Sequence, residues 1–284
     1  MERDTIVFAG QSNTFGLGLE WELDPELNSE EYLSKGVHLP LDVNTRDNYE
    51  KKYWKYYRWS SLTCKDLNYN EFNVHDSSNK PTLGGTAPSA IWHLYEKKDD
   101  VEIKKLIDRI KYVVLEIGYV RWWDENLHGK EGGEYLPNTP TEIENYLKLK
   151  NSNPDVVEAA IEWIKNYNEE NFWIETYKKI MLFQKEFPEI KVILVPWSGN
   201  QPDFLKKNEL YDKIKDSFIN IPNWEGGIMG YLQNNKLQIW NVAKAWNGNY
   251  KYNHKEDHAS VKGHRWVADR VIDHIKKLEK TNLI

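Results

Sequence analysis

The chain has 284 residues, a formal net charge of −6 and a single cysteine. That length suits one enlarged domain with a sizeable core, the acidic balance without a basic run argues against sequence-independent nucleic-acid binding, and the lone Cys64 excludes an internal disulfide framework. No apolar stretch approaches the ~18 residues of a membrane span, and Met1-Glu2-Arg3-Asp4 runs into an apolar segment without a secretory leader, so cytoplasmic synthesis and no membrane partner are expected.

Thr5 to Ala9 reads as a buried parallel strand, broken at once by Gly10-Gln11-Ser12-Asn13. A polar, irregular insertion is expected at about 18–53, with Asp24-Pro25 and Leu39-Pro40 as breakers. Arg58 to Leu67 follows as a helix, in which Cys64 is expected to pack, and Glu71 to His75 as a second strand. Ala87 to Glu96 and Ile103 to Ile110 read as helices before a third strand, Tyr112 to Gly118. A loop-rich stretch with Gly129, Gly132, Gly133, Pro137 and Pro140 opens a second insertion at about 127–175, overlapping one long or two broken helical runs from Asp155 to Phe187. Lys191 to Trp197 is the clearest later strand, Phe204 to Phe218 reads as a helix, and Leu237 to Trp240 as a short fifth strand. The last helix carries Val261, Ala268, Val271, Ile275 and Leu278 at helical spacing, with Ser260 as its N-cap. Strands alternating with helices imply a parallel sheet covered on both faces in a single domain, 1–284.

Two segments carry chemistry. A serine just past the carboxyl end of a parallel strand lies where open α/β sheets hold ligands and reactive groups. On a glycine-flanked turn, Ser12 offers a nucleophilic hydroxyl and a backbone N–H for an oxyanion. Near the other end, His258 lies in the loop before the last helix, beside Glu256 and Asp257, as the base that such a serine needs. Neighbouring side chains in an extended segment diverge, so Glu256 has the better parity for reaching the ring, and Asp257 needs a turn. Gly10 to Gly16 does not form a phosphate loop, because the spacing is one residue too long and no Lys-Ser/Thr follows. One cysteine and no His-Glu-x-x-His leave no expected metal site, and no cofactor is called for. His254 and His264 are assigned to a solvated loop and a helix face.

The Gly10-Gln11-Ser12-Asn13 block with Gly16, and the late His258 to Gly263 block, resemble the SGNH (GDSL-type) hydrolase superfamily in its GQSN variant, found in carbohydrate O-acetylesterases. The order of the inner segments is similar over nearly the whole chain, with Gly84-Gly85-Thr86 as the glycine block after the second strand. The resemblance implies an α/β, three-layer α/β/α sandwich with a flavodoxin-like parallel sheet of about five strands. It implies Ser12 as nucleophile, His258 as base, and the backbone N–H groups of Ser12 and Gly85 as oxyanion donors. It also marks Trp59 as a core residue. Two departures stand out. Val120 occupies the position of the family's third oxyanion donor, an Asn, which leaves Arg121 as a candidate substitute. Lys255 stands where the family carries its acid, three residues before the histidine, which leaves Asp257 and Glu256 as alternatives.

With 13 tryptophans and 17 tyrosines, the chain has more aromatics than its core requires, and most are expected to pin loops onto the sandwich. Trp122, Trp123 and Trp197 follow the third and fourth strands at the carboxyl edge, where aromatic faces stack on sugar rings. The function expected is therefore a serine ester hydrolase removing acetyl or other short acyl groups from a carbohydrate, with a small-molecule or glycan ester as partner and oligomeric state open. The alternative is a catalytically degenerate SGNH-like glycan-binding or structural protein. The Lys- and Asn-rich composition with long insertions is similar to SGNH-like proteins of large bacteriophage genomes, where a virion location is conceivable.

Overall fold

A computed structural model describes residues 4–10, 14, 16, 19–24, 48–73, 91, 94–117, 162, 169–197, 209–222, 227–238 and 258–281. Among the described residues the strands are β1 (Thr5–Ala9), β2 (Asn70–Asn73), β3 (Ile110–Ile117) and β4 (Lys191–Pro196). They pair in parallel in the order β2-β1-β3-β4, with Val7 opposite Phe72 on one side and Val113 on the other. Every residue of β1 is buried, whereas the polar edge strand Asn-Glu-Phe-Asn of β2 is only partly covered. Sequence and place agree: a strand covered on both faces reads as a continuous apolar run.

The α-helices of the described residues are α1 (Leu19–Leu23), α2 (Lys55–Tyr57), α3 (Trp59–Leu67), α4 (Val101–Ile107), α5 (Glu169–Glu186), α6 (Tyr211–Ile214), α7 (Gly227–Asn234) and α8 (Val261–Thr281). Alternation along the strands sorts the core into two faces. Val7, Val113, Leu115 and Leu194 meet Trp173, Tyr177, Ile180 and Phe183 of α5, with Leu106 of α4 beside them. Ile6, Phe8, Val114 and Val195 meet Trp59 of α3, Ile228 and Leu232 of α7, and Val267, Val271 and Ile275 of α8. Helices on both faces of a parallel sheet are compatible with a three-layer α/β/α fold. Burying each such valine, leucine or isoleucine contributes roughly 1.5–3 kcal/mol. Trp59, fully buried edge-on to Phe8, and Cys64 are core residues as expected.

Helix α8 begins as its sequence dictates. The Ser260 hydroxyl accepts the Gly263 N–H at 3.1 Å and donates to the Leu237 carbonyl at 2.8 Å, satisfying one orphan donor of the first turn.

Four expectations need correction. The helix expected at Ile103 to Ile110 runs from Val101 to Ile107, because the Asp100 carboxylate caps it through the amides of Glu102 and Ile103, and Ile110 already opens β3. The helix expected to reach Phe218 ends sooner: α6 passes through a 3₁₀ turn at Lys215–Ser217, and Phe218 bridges Leu194 of β4 in parallel. Phe218 faces one core and Ile219 the other, a period-two pattern that belongs to a strand. Of the fifth strand expected at Leu237 to Trp240, Gln238 forms only an isolated antiparallel bridge to Ala259, and 239–240 lie outside the described residues. Finally, the insertion at 18–53 is not wholly irregular, since it contains α1 and a π-turn at Glu50–Trp54 that runs into α2. Leu19, Tyr53 and Trp54 bury each other there, and the Tyr53 hydroxyl donates to Asp24 at 2.9 Å.

Candidate active site

In a parallel sheet of this order the ligand crevice opens outside the carboxyl ends of the strands, beside β1 and β3. Gly10 is the first residue past β1, and β3 ends next to it with Glu116-Ile117. A Cβ on Gly10 would sit 2.7 Å from both Cβ and Oε2 of Glu116 and would collide with the Thr14 hydroxyl, so only glycine fits. Thr14 is fully buried and donates its hydroxyl to the Glu116 carboxylate, which is itself 2% exposed. Gly16, at φ +82°, lies so close to Arg58 and Leu19 that a Cβ would come within 2.9 Å of each. The glycines on both sides of Ser12 are thus required by contact, the second also by its left-handed backbone.

The amino end of α3 lies against Thr14 and Gly16. The Ser60 hydroxyl lies 3.3 Å from the Thr14 carbonyl and donates to Glu71 Oε1 at 2.6 Å. Glu71 also accepts from Ser61 at 2.7 Å, Asn73 at 2.8 Å and Arg58 Nε at 3.0 Å. Arg58 reaches Glu50 at 2.6 Å. Burial alone would lower the Arg58 pKa, but the two carboxylates outweigh it and hold the guanidinium above its ordinary value. The part-buried Arg58–Glu71 pair, with Glu71 accepting these further bonds, offsets part of its desolvation cost.

Helix α8, which follows His258, meets the same helix. His258 is 7% exposed, directly before the Ala259 bridge and the Ser260 cap of α8. One turn further on, His264 is completely buried, and its Nδ1 accepts the backbone N–H of Trp59, the first residue of α3, at 3.2 Å. Burial, with smaller contributions from His258 and Arg58, lowers its pKa to about 3. His264 is therefore neutral, with its proton on Nε2. Glu22 of α1, the helix that follows the serine turn, accepts the Val261 N–H at the start of α8 at 2.7 Å. Segments 239 residues apart in the chain are joined by that bond.

Of the catalytic, oxyanion and sugar-binding candidates named from sequence, His258 and Trp197 are described. Trp197 is corrected: it is 2% exposed and packed in the core with Ile193, Val195 and Ile228, so its ring offers no open face to a sugar. Its burial follows from position, because its carbonyl anchors the start of α7 through the Met229 N–H at 2.9 Å. Ser12, Gly85, Val120, Arg121, Trp122, Trp123, Lys255, Glu256 and Asp257 lie outside the described residues. Among the described residues, no group of three or more His, Cys, Asp or Glu side chains is arranged to hold a metal ion.

Sequence reasoning passed over Thr14, Glu116 and the buried role of His264. Two of them carried a signal: Glu116 is the one charge in the run Tyr112-Val-Val-Leu-Glu-Ile117, and His264 is three residues after Val261 and four before Ala268, on the apolar stripe. Comparison of the chain with protein-family models, with curated proteins and with solved structures finds no match.

Proposed function

We propose that the protein is a serine ester hydrolase of the SGNH type that removes acetyl or other short acyl groups from a carbohydrate. The observation that carries this reading is the tie between the two ends of the chain at the carboxyl edge of the sheet. Thr14, two residues past Ser12, has its carbonyl 3.3 Å from the Ser60 hydroxyl at the amino end of α3, His264 of the helix that follows His258 accepts the Trp59 N–H there, and Glu22 accepts the Val261 N–H. A nucleophile and a base far apart in sequence need such a common anchor.

In this reading Ser12 attacks the ester carbonyl while His258 accepts its proton. The oxyanion is held by the backbone N–H groups of Ser12 and Gly85, with Arg121 as third donor in place of the Asn that Val120 replaces. His258 then returns the proton to the departing alcohol, and water, activated by the same imidazole, releases the acyl group. Asp257 or Glu256 orients the ring. Trp122 and Trp123 supply the stacking faces for the sugar. Loss of one oxyanion donor typically costs ~10²–10³ in rate, which slows an esterase without abolishing it.

Hydrolysis of 4-nitrophenyl acetate and of acetylated oligosaccharides tests the proposal. Wild type is expected to turn over, and Ser12→Ala to lose turnover while staying folded. Equal turnover by Ser12→Ala would refute the mechanism. The substitutions at the Val120 and Lys255 positions favour a second reading, a glycan-binding protein without turnover; glycan affinity in a folded, inactive wild type would support it.

A further inference from the structure

We propose that Glu116 is a positioning residue for the serine turn, its buried carboxylate holding Thr14 and thereby the Ser12 hydroxyl in its attacking place. The proposal rests on the esterase reading and adds to it a residue of β3, far in sequence from both the nucleophile and the base.

Three observations converge on Glu116. Leu115 pairs with Ala9 across the β1–β3 ladder, so the next step of β3 brings Glu116 level with Gly10. Alternation with Tyr112 and Val114 turns Glu116 toward the face on which α3 and α8 pack. The residue is 2% exposed between Leu115 and Ile117, both fully buried. A carboxylate in such a place costs stability unless its oxygens are bonded, and an apolar side chain would pack there without that cost. The carboxylate accepts the Thr14 hydroxyl, in the space that the missing Cβ of Gly10 leaves open.

Gly10 and Thr14 are each two residues from Ser12, one on either side, and both are fixed against this one carboxylate. Attack on an ester requires the nucleophile within a few tenths of an ångström of its productive place. A turn fixed at both flanks provides that without a contact between Glu116 and the substrate.

The test uses four variants and the acetyl ester assay. Thr14→Val keeps the volume of the side chain and removes its hydroxyl; Thr14→Ser keeps the hydroxyl. Thr14→Val is expected to lower kcat by ~10²-fold, the cost of a misplaced reacting group, with KM nearly unchanged. Thr14→Ser is expected to restore most of that rate. Glu116→Gln is expected to lower kcat, and the Thr14→Val/Glu116→Gln double variant to be no slower than Thr14→Val alone, because the two side chains act as one unit. Wild-type kcat in a folded Thr14→Val variant, or losses that multiply in the double variant, would overturn the proposal. If wild type itself shows no turnover, the esterase reading fails, and the positioning claim is read separately by hydrogen exchange. The 10–16 peptide is then expected to exchange faster in Thr14→Val and at the wild-type rate in Thr14→Ser. Unchanged exchange in Thr14→Val would overturn it.

Discussion

Replacing His264 with Asn isolates a pH-dependent part of the stability of this fold. His264 is fully buried with Nδ1 on the Trp59 amide, and its pKa is lowered to about 3, chiefly by burial. In the unfolded chain the same group titrates near 6.5. Below pH 6.5 the unfolded state therefore binds a proton that the folded state refuses. The stabilisation is present above pH 6.5, falls as pH drops, and is fully lost near pH 3. Between pH 7 and pH 5 the loss is about 2 kcal/mol from the linkage relation. That figure is set by the unfolded-state pKa, so any folded value below about 4 gives the same result. Asn retains an oxygen that can accept the Trp59 N–H and has no proton to gain. Urea unfolding of wild type and His264→Asn at pH 7, 6 and 5 measures the difference, in which all other titrating groups cancel. The gap between the two proteins is expected to move by about 2 kcal/mol in favour of the variant on going from pH 7 to pH 5. A gap independent of pH would refute the claim that His264 is held neutral.

Gly10→Ala brings a Cβ within 2.7 Å of Glu116 and onto the Thr14 hydroxyl, so it is expected to lower Tm and to impair turnover more than stability. Thermal melts beside ester assays check this, and a wild-type Tm would contradict it. Ser260→Ala removes the cap of α8 and is expected to cost about 1 kcal/mol, read by urea unfolding. Ile275→Ala opens a hole in the core between α8 and the sheet, with an expected loss of about 2–5 kcal/mol in the same experiment.

Much of the frame was legible in the amino-acid sequence because its strands are covered on both faces. Thr5 to Ala9, Tyr112 to Ile117 and Lys191 to Pro196 are apolar runs too short for helices, and each is a strand. The stripe of α8 and its Ser260 cap were equally plain. Phe218-Ile219 was not, because two residues of strand character after a helical pattern are overruled by that pattern until a neighbour such as Leu194 is known. Trp197 misled for a related reason: a large aromatic at a strand's carboxyl end suits a sugar platform or a core equally, and only its packing against α7 decides. In the candidate site, motifs indicated the Ser12 turn and His258, but the supporting contacts join residues far apart in the chain. Thr14 with Glu116, Glu22 with Val261 and Trp59 with His264 are pairings that no local pattern encodes.

Whether Ser12 is an activated nucleophile is read by fluorophosphonate labelling. Wild type, Ser12→Ala and His258→Ala are treated with the reagent, and the modified peptide is identified by mass spectrometry. The account predicts modification of Ser12 in wild type, none in Ser12→Ala, and a strongly reduced rate in His258→Ala. Folded wild-type protein left unlabelled, or labelled at another residue with Ser12→Ala unaffected, would contradict it.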